Sequence, residues 1–304
     1  MNTNSRKIII IGSKGFVGSH VSLHFEGMGH SVWGADVVID YEKSNRYFLI
    51  DASNSDYREI FEMQKFDVCI NCSGAASVPD SIIHPLRDFN LNTVNVFKLL
   101  DAIRIYCPQC RFINLSSAAV YGNPNQLPVT EILPTLPVSP YGVHKVLSEK
   151  ICSEFHQFFK IHTCSLRIFS AYGEGLKKQL FWDLYQKKLK GGAIHLYGSG
   201  AESRDFIHVV DLAFAIQLVS ENASFAGEVI NVANGEEVTI RECVENFYGL
   251  FPVKPEYFFT GQEREGDPVN WKADISVLLG LGYKKKITLK DGLARYYEWC
   301  TKQT

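Results

Sequence analysis

Apolar residues fall along this chain in short β-branched runs that alternate with longer stretches of helical period. Lys7 to Ile11 carries four successive isoleucines and ends at a glycine, the pattern of a strand buried on both faces. Val17 to Met28 follows with helical spacing, and Ser31 to Ala35 returns to strand. Phe66 to Cys72 and Arg111 to Ser116 are further apolar strands, separated by a helical stretch from about Pro85 to Tyr106. Ser139 to Lys160 predicts a long helix, and Thr163 to Phe169 another strand. This alternation predicts an α/β fold built of parallel βαβ units in a doubly wound sheet. After about residue 170 the order is less regular and glycines cluster from Gly191 to Gly200. The expected division is therefore 1–170 and 171–304, the second part a smaller α/β lobe closing a cleft, with a segment at about 203–219 returning to the first.

Bulk composition narrows the partners. The chain has 304 residues, 46% hydrophobic and 21% charged, with a net charge of −2. That is ordinary for a globular protein and argues against a nucleic-acid or anionic-membrane partner. No apolar run approaches the roughly 20 residues that span a bilayer. Arg6 and Lys7 before Ile8 to Ile11 resemble a signal peptide only briefly, because the run stops at Gly12. A cytoplasmic protein is expected.

Gly12-Ser-Lys-Gly15-Phe16-Val17-Gly18 stands between the first strand and the first helix. Glycines there let the backbone turn tightly and let a pyrophosphate approach the helix N-terminus, the arrangement of a Rossmann-type dinucleotide loop. Asp36 ends the next strand, where its carboxylate can hold ribose hydroxyls and repel a 2′-phosphate. With no Arg or Lys immediately after it, NAD is favoured over NADP.

Tyr141 and Lys145 are four residues apart in the long helix and so share a face. A free phenol, with a pKa near ~10, is a poor base at neutral pH. An ammonium about 4 Å away is worth on the order of 4 kcal/mol at an effective dielectric of 20, enough to lower the phenol by up to ~3 units before burial is counted. Such a phenol can move a proton at a carbinol carbon, with Ser117 upstream as a hydrogen-bonding partner.

With these motifs the chain resembles, over nearly its whole length, the extended short-chain dehydrogenase/reductase family of nucleotide-sugar epimerases and dehydratases. Gly12, Gly15 and Gly18 match its dinucleotide loop, and Asp51-Ala52 matches an acidic position that contacts adenine. Asn71-Cys-Ser73-Gly74-Ala-Ala departs from the usual His-Leu-Ala-Ala but keeps small residues along the cofactor, and Asn92 matches an asparagine bracing that site. Ser117, Tyr141 and Lys145 match the catalytic triad, with Tyr141 and Lys145 also lining the cofactor. Arg204 in Arg-Asp-Phe-Ile-His208-Val-Val-Asp211, and Arg264 with Asp267, match segments that hold the substrate diphosphate and the nucleotide ribose. Two forked guanidiniums suit phosphate oxygens. The resemblance also points Ser77, Val78, Ser170 and Tyr197 at the substrate, and Trp271 at a sugar pocket that a bulky residue narrows to plain or deoxy hexoses; core packing is the other reading of Trp271. Ser170 stands where an asparagine is commoner, and the loop from Gly173 to Phe181, with Lys177 and Lys178, departs from the usual pattern.

The resemblance implies oxidation at sugar C4 as the first step. A 4,6-dehydratase needs carboxylates just after the serine, and here those positions are Ala118 and Ala119. C4 epimerisation of a nucleotide-diphosphate sugar, with UDP-hexose favoured, is the expected outcome. A 4-ketoreductase using the same triad is the alternative. Homodimers are common in the family, through the helices at Pro85 to Tyr106 and Ser139 to Lys160. Cys69–Cys72 and Cys107–Cys110 have the Cys-x-x-Cys spacing of a metal site or a redox pair, but a strand sends Cys69 and Cys72 to opposite faces, Cys107 and Cys110 lie at a helix end beside Pro108, and all four are expected as buried small side chains rather than in either role.

Overall fold

The structure, a computed structural model, describes residues 5–41, 45–262 and 268–303. In chain order the elements are β1 (Lys7–Ile11), α1 (Phe16–Gly27), β2 (Ser31–Asp36), β3 (Tyr47–Leu49), α2 (Arg58–Met63) and β4 (Val68–Asn71). Next come α3 (Val78–Ile83), α4 (Pro85–Phe89), α5 (Asn95–Tyr106), β5 (Arg111–Ser117), α6 (Pro140–Phe159) and β6 (Thr163–Ile168). The remainder is β7 (Ser170–Tyr172), α7 (Gln179–Lys190), β8 (Ile194–Leu196), β9 (Ser203–Arg204), β10 (Phe206–His208), α8 (Val209–Asn222), β11 (Ala226–Val232), β12 (Val238–Thr239), α9 (Ile240–Tyr248), β13 (Tyr257–Phe259), α10 (Ser276–Gly280) and α11 (Leu289–Thr301).

Seven parallel strands form the main sheet, in the order β11-β6-β5-β4-β1-β2-β3. β1 pairs with both β2 and β4, so the winding direction reverses at its two edges. In such sheets the crevice beyond the strand C-termini at that point receives the ligand. The isoleucines of β1 explain its central place. Ile8 and Ile10 face the cluster containing Val21 and Phe25 of α1, and Ile9 and Ile11 face the cluster of α5 and α6 on the other side. All four are at most 1% exposed, each burial being worth about 1.5–3 kcal/mol.

Two elements depart from the sequence pattern. The helix expected from Pro85 to Tyr106 is broken by one π-helical turn over Asn90–Val94. Such turns often mark functional sites, and this one carries Asn92. The chain also returns to the main sheet further than 203–219: α8 packs against α1, and β11 then becomes the edge strand beside β6. β11 begins Ala-Gly-Glu and only its last three residues are fully buried, too short an apolar run to announce a strand. A separate aromatic cluster, including Phe181, Tyr185, Phe206, Phe247, Tyr248 and Tyr296, forms the core of the outer lobe. Among the described residues no helix is long and apolar enough to cross a membrane.

Candidate functional site

The loop after β1 needs its glycines for reasons internal to the fold. Gly12 has φ +78°, and a Cβ there would lie 2.8 Å from the Ser73 backbone nitrogen. A Cβ on Gly18 would lie 2.1 Å from the Gly12 carbonyl oxygen. The N-cap of α1, Gly15, offers no side-chain cap, and the first turn, opened by Phe16 and Val17, holds no acid. Its free N–H groups therefore suit an anion. Asp36 ends β2 and is pinned by N–H donors from Lys14 (2.9 Å) and Val37 (2.7 Å). A cation does stand near, brought by the loop rather than by the residues after Asp36: Lys14, whose ammonium pairs with Asp40 at 2.9 Å.

Across the cleft, Ser73 donates its hydroxyl to Asn71 at 2.6 Å. Gly74 adopts φ +115°, and a Cβ there would lie 2.5 Å from Asn92 Oδ1. Asn92 is 1% exposed, yet neither atom of its amide has a partner. Leaving a buried amide unsatisfied costs about 1–3 kcal/mol, so the site is built for a polar ligand. The uncapped helix start, the collapsed glycine loop and this orphaned amide fit a dinucleotide. Asp51 and Ala52 are exposed beyond β3. The Asp51 carboxylate accepts from Ser53 Oγ and from the Ser53 and Asn54 N–H groups, which hold it below the usual carboxylate range.

Ser117, Tyr141 and Lys145 meet at the C-terminal end of β5. Ser139 caps α6 by accepting from the Gly142 N–H, and Pro140 opens the first turn, so Tyr141 enters the cleft from the rigid start of a 20-residue helix. The Ser117 hydroxyl accepts from the Ala119 N–H at 3.2 Å and acts to lower the Tyr141 phenol. Lys145 is 6% exposed, donates to the Leu115 carbonyl at 2.8 Å and lies 5.8 Å from the Tyr141 ring centre.

This geometry corrects the expected acid–base balance. Burial pushes the Tyr141 phenol up to about 12, against the lowering effect of Ser117, and the Asp88 charge pushes it further. Burial brings Lys145 down to about 8, opposed by Asp88 and Glu149. The spacing of four puts the ammonium 5.8 Å from the ring centre, but it says nothing about desolvation, the largest influence on both groups.

Two neighbours of the triad gave no signal in the sequence. Asp88, 1% exposed on α4, pairs with His144 Nδ1 at 2.6 Å, and its second oxygen is buried without a partner. Beneath Ser117, Ser116 donates to Glu149 Oε1 at 2.6 Å, and Glu149 pairs with Arg167 at 2.8 Å. Arg167 in turn donates to Tyr121 Oη at 2.8 Å, and that hydroxyl donates to Asn231 at 2.7 Å. This buried network ties β5, β6, α6 and β11 together under the C-terminal end of β5.

The expected substrate residues are placed unevenly. Arg264 and Asp267 lie outside the described residues. Ser77 caps α3, accepting from the Asp80 N–H, and Val78 opens that helix. Lys178 reaches from the loop before α7 to the Ala76 carbonyl at 3.4 Å. Ser170 starts β7, tied to the Asp205 carbonyl at 2.9 Å. Tyr197 is 54% exposed, with Lys187 6.0 Å over its ring. Arg204 donates to the carbonyls of Ser203 (2.8 Å) and Val269 (3.1 Å) and stacks 5.5 Å over Trp271. Trp271 is 8% exposed, packs edge-on to Phe169 and donates its indole N–H to the Gly122 carbonyl at 3.1 Å. Its ring belongs to the small cluster with Ala118, Tyr121 and Phe169 that walls the triad. Among the described residues no three His, Cys, Asp or Glu side chains gather closely enough to hold a metal.

A doubly wound parallel sheet, with a glycine loop at its switch point and a Ser/Tyr/Lys cluster two strands away at the end of β5, defines a dinucleotide-dependent enzyme acting on an alcohol carbon. The chain belongs to the NAD-dependent epimerase/dehydratase family, whose model matches residues 8–233. An uncharacterised UDP-glucose epimerase of Bacillus subtilis, YtcB, is 29% identical, the match covering 94% of this chain and 95% of that one. The fold is similar to that of MoeE5 in complex with UDP-glucose and NAD, with a TM-score of 0.88 and 25% identity over 98% of this chain and 99% of that one. It is also similar to the UDP-glucuronic acid 4-epimerase of Bacillus cereus in complex with UDP-glucuronic acid and NAD, with a TM-score of 0.87 and 26% identity over 98% and 100% of the two chains. NAD is the cofactor of this family.

Proposed function

We propose that this chain is an NAD-dependent nucleotide-sugar 4-epimerase that acts on a UDP-hexose through a transient 4-keto sugar. The observation that carries this reading is the grouping of Ser117, Tyr141 and Lys145 at the end of β5, followed directly by Ala118 and Ala119. Bound NAD would supply a hydride acceptor and, on the return, a donor. Tyr141 takes the proton of the sugar 4-hydroxyl and later returns it, while Ser117 donates to the same oxygen. Lys145, held by the Leu115 carbonyl, offers a positive charge to the phenolate as it forms. Alanine moves no proton, so nothing at 118 or 119 eliminates water from C5 and C6. The ketone accordingly turns over in the site and is reduced from its opposite face.

In this reading Gly12, Gly15, Phe16, Val17, Gly18, Asp36, Asp51, Ala52, Ser73, Gly74 and Asn92 receive the dinucleotide. Arg204, Arg264 and Asp267 anchor the diphosphate and ribose, and Ser77, Val78, Ser170, Tyr197 and Trp271 surround the rest of the substrate. Residues 1–170 form the cofactor half, and most of 171–304 forms the substrate half. The homodimer is assigned to α5 and α6, on which Phe97, Ile105, Phe158 and Phe159 are exposed. Its compartment is the cytoplasm, where eight free thiols stay reduced. Incubating the purified protein, without added cofactor, with UDP-glucose, UDP-glucuronic acid or UDP-N-acetylglucosamine tests the reading. The C4 epimer is expected from at least one of the three. Turnover only of a 4-keto sugar, with stoichiometric use of reduced cofactor, would instead mark a ketoreductase.

A further inference from the structure

A cavity of about 790 Å³ opens at the opposite end of the sheet from the catalytic cleft, where β1, β4 and β5 begin. Cys107 lines it together with Arg6, Lys65 and Arg111, and Asp67 is the sole acid in its wall. Arg6 and Arg111 both donate to the Ser220 carbonyl, at 3.2 and 3.1 Å. Among the described residues neither guanidinium is ion-paired to a carboxylate. The Asp67 carboxylate accepts the Lys7 N–H at 2.7 Å. Lys65 donates to the carbonyls of Phe61 and Tyr106, which holds its ammonium beside the helix end that carries Cys107. The wall is thus net cationic, and none of these groups serves the epimerase site.

Cys107 and Cys110 occupy the tight turn from α5 into β5. The Cys110 N–H donates to the Cys107 carbonyl at 2.9 Å. A turn closed in this way brings its end Cα atoms within roughly 7 Å, inside or near the roughly 4.4–6.8 Å that a disulfide requires. The Cys107 thiol donates to the Phe66 carbonyl at 3.5 Å and the Cys110 thiol to the Arg111 carbonyl at 3.6 Å. They are also unlike. Cys107 is 6% exposed and lines the cavity, whereas Cys110 is 0% exposed beneath it. The neighbouring Cys110 brings the Cys107 thiol down to about 6, opposed by partial burial and aided by the Phe66 contact and the Lys65 charge. Burial pushes Cys110 up. Cys69, fully buried on β4, is a third sulfur in the same core cluster and does not line the cavity.

We propose that Cys107 and Cys110 are a reversible dithiol–disulfide modification site, entered from this cationic cavity by small anionic disulfides. The Cys107 thiolate attacks one sulfur of the incoming disulfide, whose S–S bond breaks; one half leaves as a thiolate and the other stays as a mixed disulfide on Cys107. Cys110 then loses its proton to solvent and attacks Cys107 Sγ, expelling the second thiolate. The two protein thiols give up two electrons, and the small disulfide is reduced to two thiols. The asymmetry fits the order of events: an accessible thiolate starts the exchange, and a buried neighbour finishes it without having to meet the reagent. The product closes the short loop at the base of β5, the strand whose far end carries Ser117.

The test compares two probes on the purified full-length protein: anionic glutathione disulfide and neutral bis(2-hydroxyethyl) disulfide, each rate normalised to that of a free model thiol. Intact mass should fall by two hydrogens, peptide mapping should place the new bond between Cys107 and Cys110, and dithiothreitol should reverse it. The normalised rate for the anionic probe should exceed that for the neutral one on the order of tenfold, a ratio that Arg111→Gln reduces. Cys110→Ser should trap the mixed disulfide on Cys107, and Cys107→Ser should leave position 110 unmodified. Retention of all eight thiols by the wild-type protein, modification at a different cysteine, or equal normalised rates for the two probes would overturn the proposal.

Discussion

Lys145 turns its ammonium to the Leu115 carbonyl, 2.8 Å away, and stands 5.8 Å from the centre of the Tyr141 ring. The two residues share a helix face and a buried pocket, but in the protein alone burial holds each in its neutral direction. At neutral pH Tyr141 is therefore a neutral phenol beside a Lys145 that is still mostly an ammonium but close to losing its proton. Tyr141→Phe should lower kcat by roughly 10²–10⁴-fold, the usual worth of a positioned acid–base group, with an unchanged circular dichroism spectrum. A loss confined to KM would contradict that role.

A stability effect follows from the same burial. Lys145 sits at about 8 in the folded chain against an ordinary 10.5. Across that window the unfolded chain binds the proton that the folded chain has released, so this group makes stability rise with pH there. Below pH 8 the folded state carries the whole cost of a buried ammonium. Lys145→Met should therefore stabilise the protein at pH 7 by up to about 3 kcal/mol while abolishing turnover. Urea melts at pH 7 and pH 10 should show that advantage shrinking at the higher pH.

Asp88 raises both members of the pair. Asp88→Asn removes that negative charge, so both groups should titrate lower. The alkaline limb of kcat/KM, which reports the free enzyme, should move toward lower pH, and an unmoved profile would show that Asp88 acts only through packing.

Glu149 and Arg167 are 7% and 5% exposed and joined at 2.8 Å. Removing one partner strands the other, so Glu149→Gln should cost about 3–5 kcal/mol in denaturant unfolding. A cost below about 1 kcal/mol, as for an exposed pair, would contradict the bracing role given to this network.

Gly18 has no room for a side chain, a Cβ there lying 2.1 Å from the Gly12 carbonyl oxygen. Gly18→Ala should open the loop, costing about 1–3 kcal/mol and the copurified dinucleotide together, read as melting temperature and absorbance of the released cofactor. Retention of full cofactor content would show that the loop yields elsewhere.

What the sequence revealed and what it hid divide by range. The glycine loop and the β1 isoleucines are legible because their meaning is local: a tight turn and a strand of period two. The Tyr141–Lys145 spacing is likewise local, and it put the two residues on one face of α6. The pair's acid–base state did not follow from the spacing, because desolvation depends on how the rest of the chain packs over the pair. Asp88 meets His144 across 56 residues and Arg167 meets Glu149 across 18, pairings that no periodicity announces. The π turn at Asn92 was hidden for another reason: one extra residue in a helical turn leaves the apolar pattern on either side intact.

Following the hydrogen at C4 tests the central claim most directly. UDP-glucose deuterated at C4, incubated with the purified protein and no added cofactor, should yield UDP-galactose that retains the deuterium at C4. Product that has lost the label to solvent, or turnover that begins only when reduced cofactor is supplied, would contradict the account.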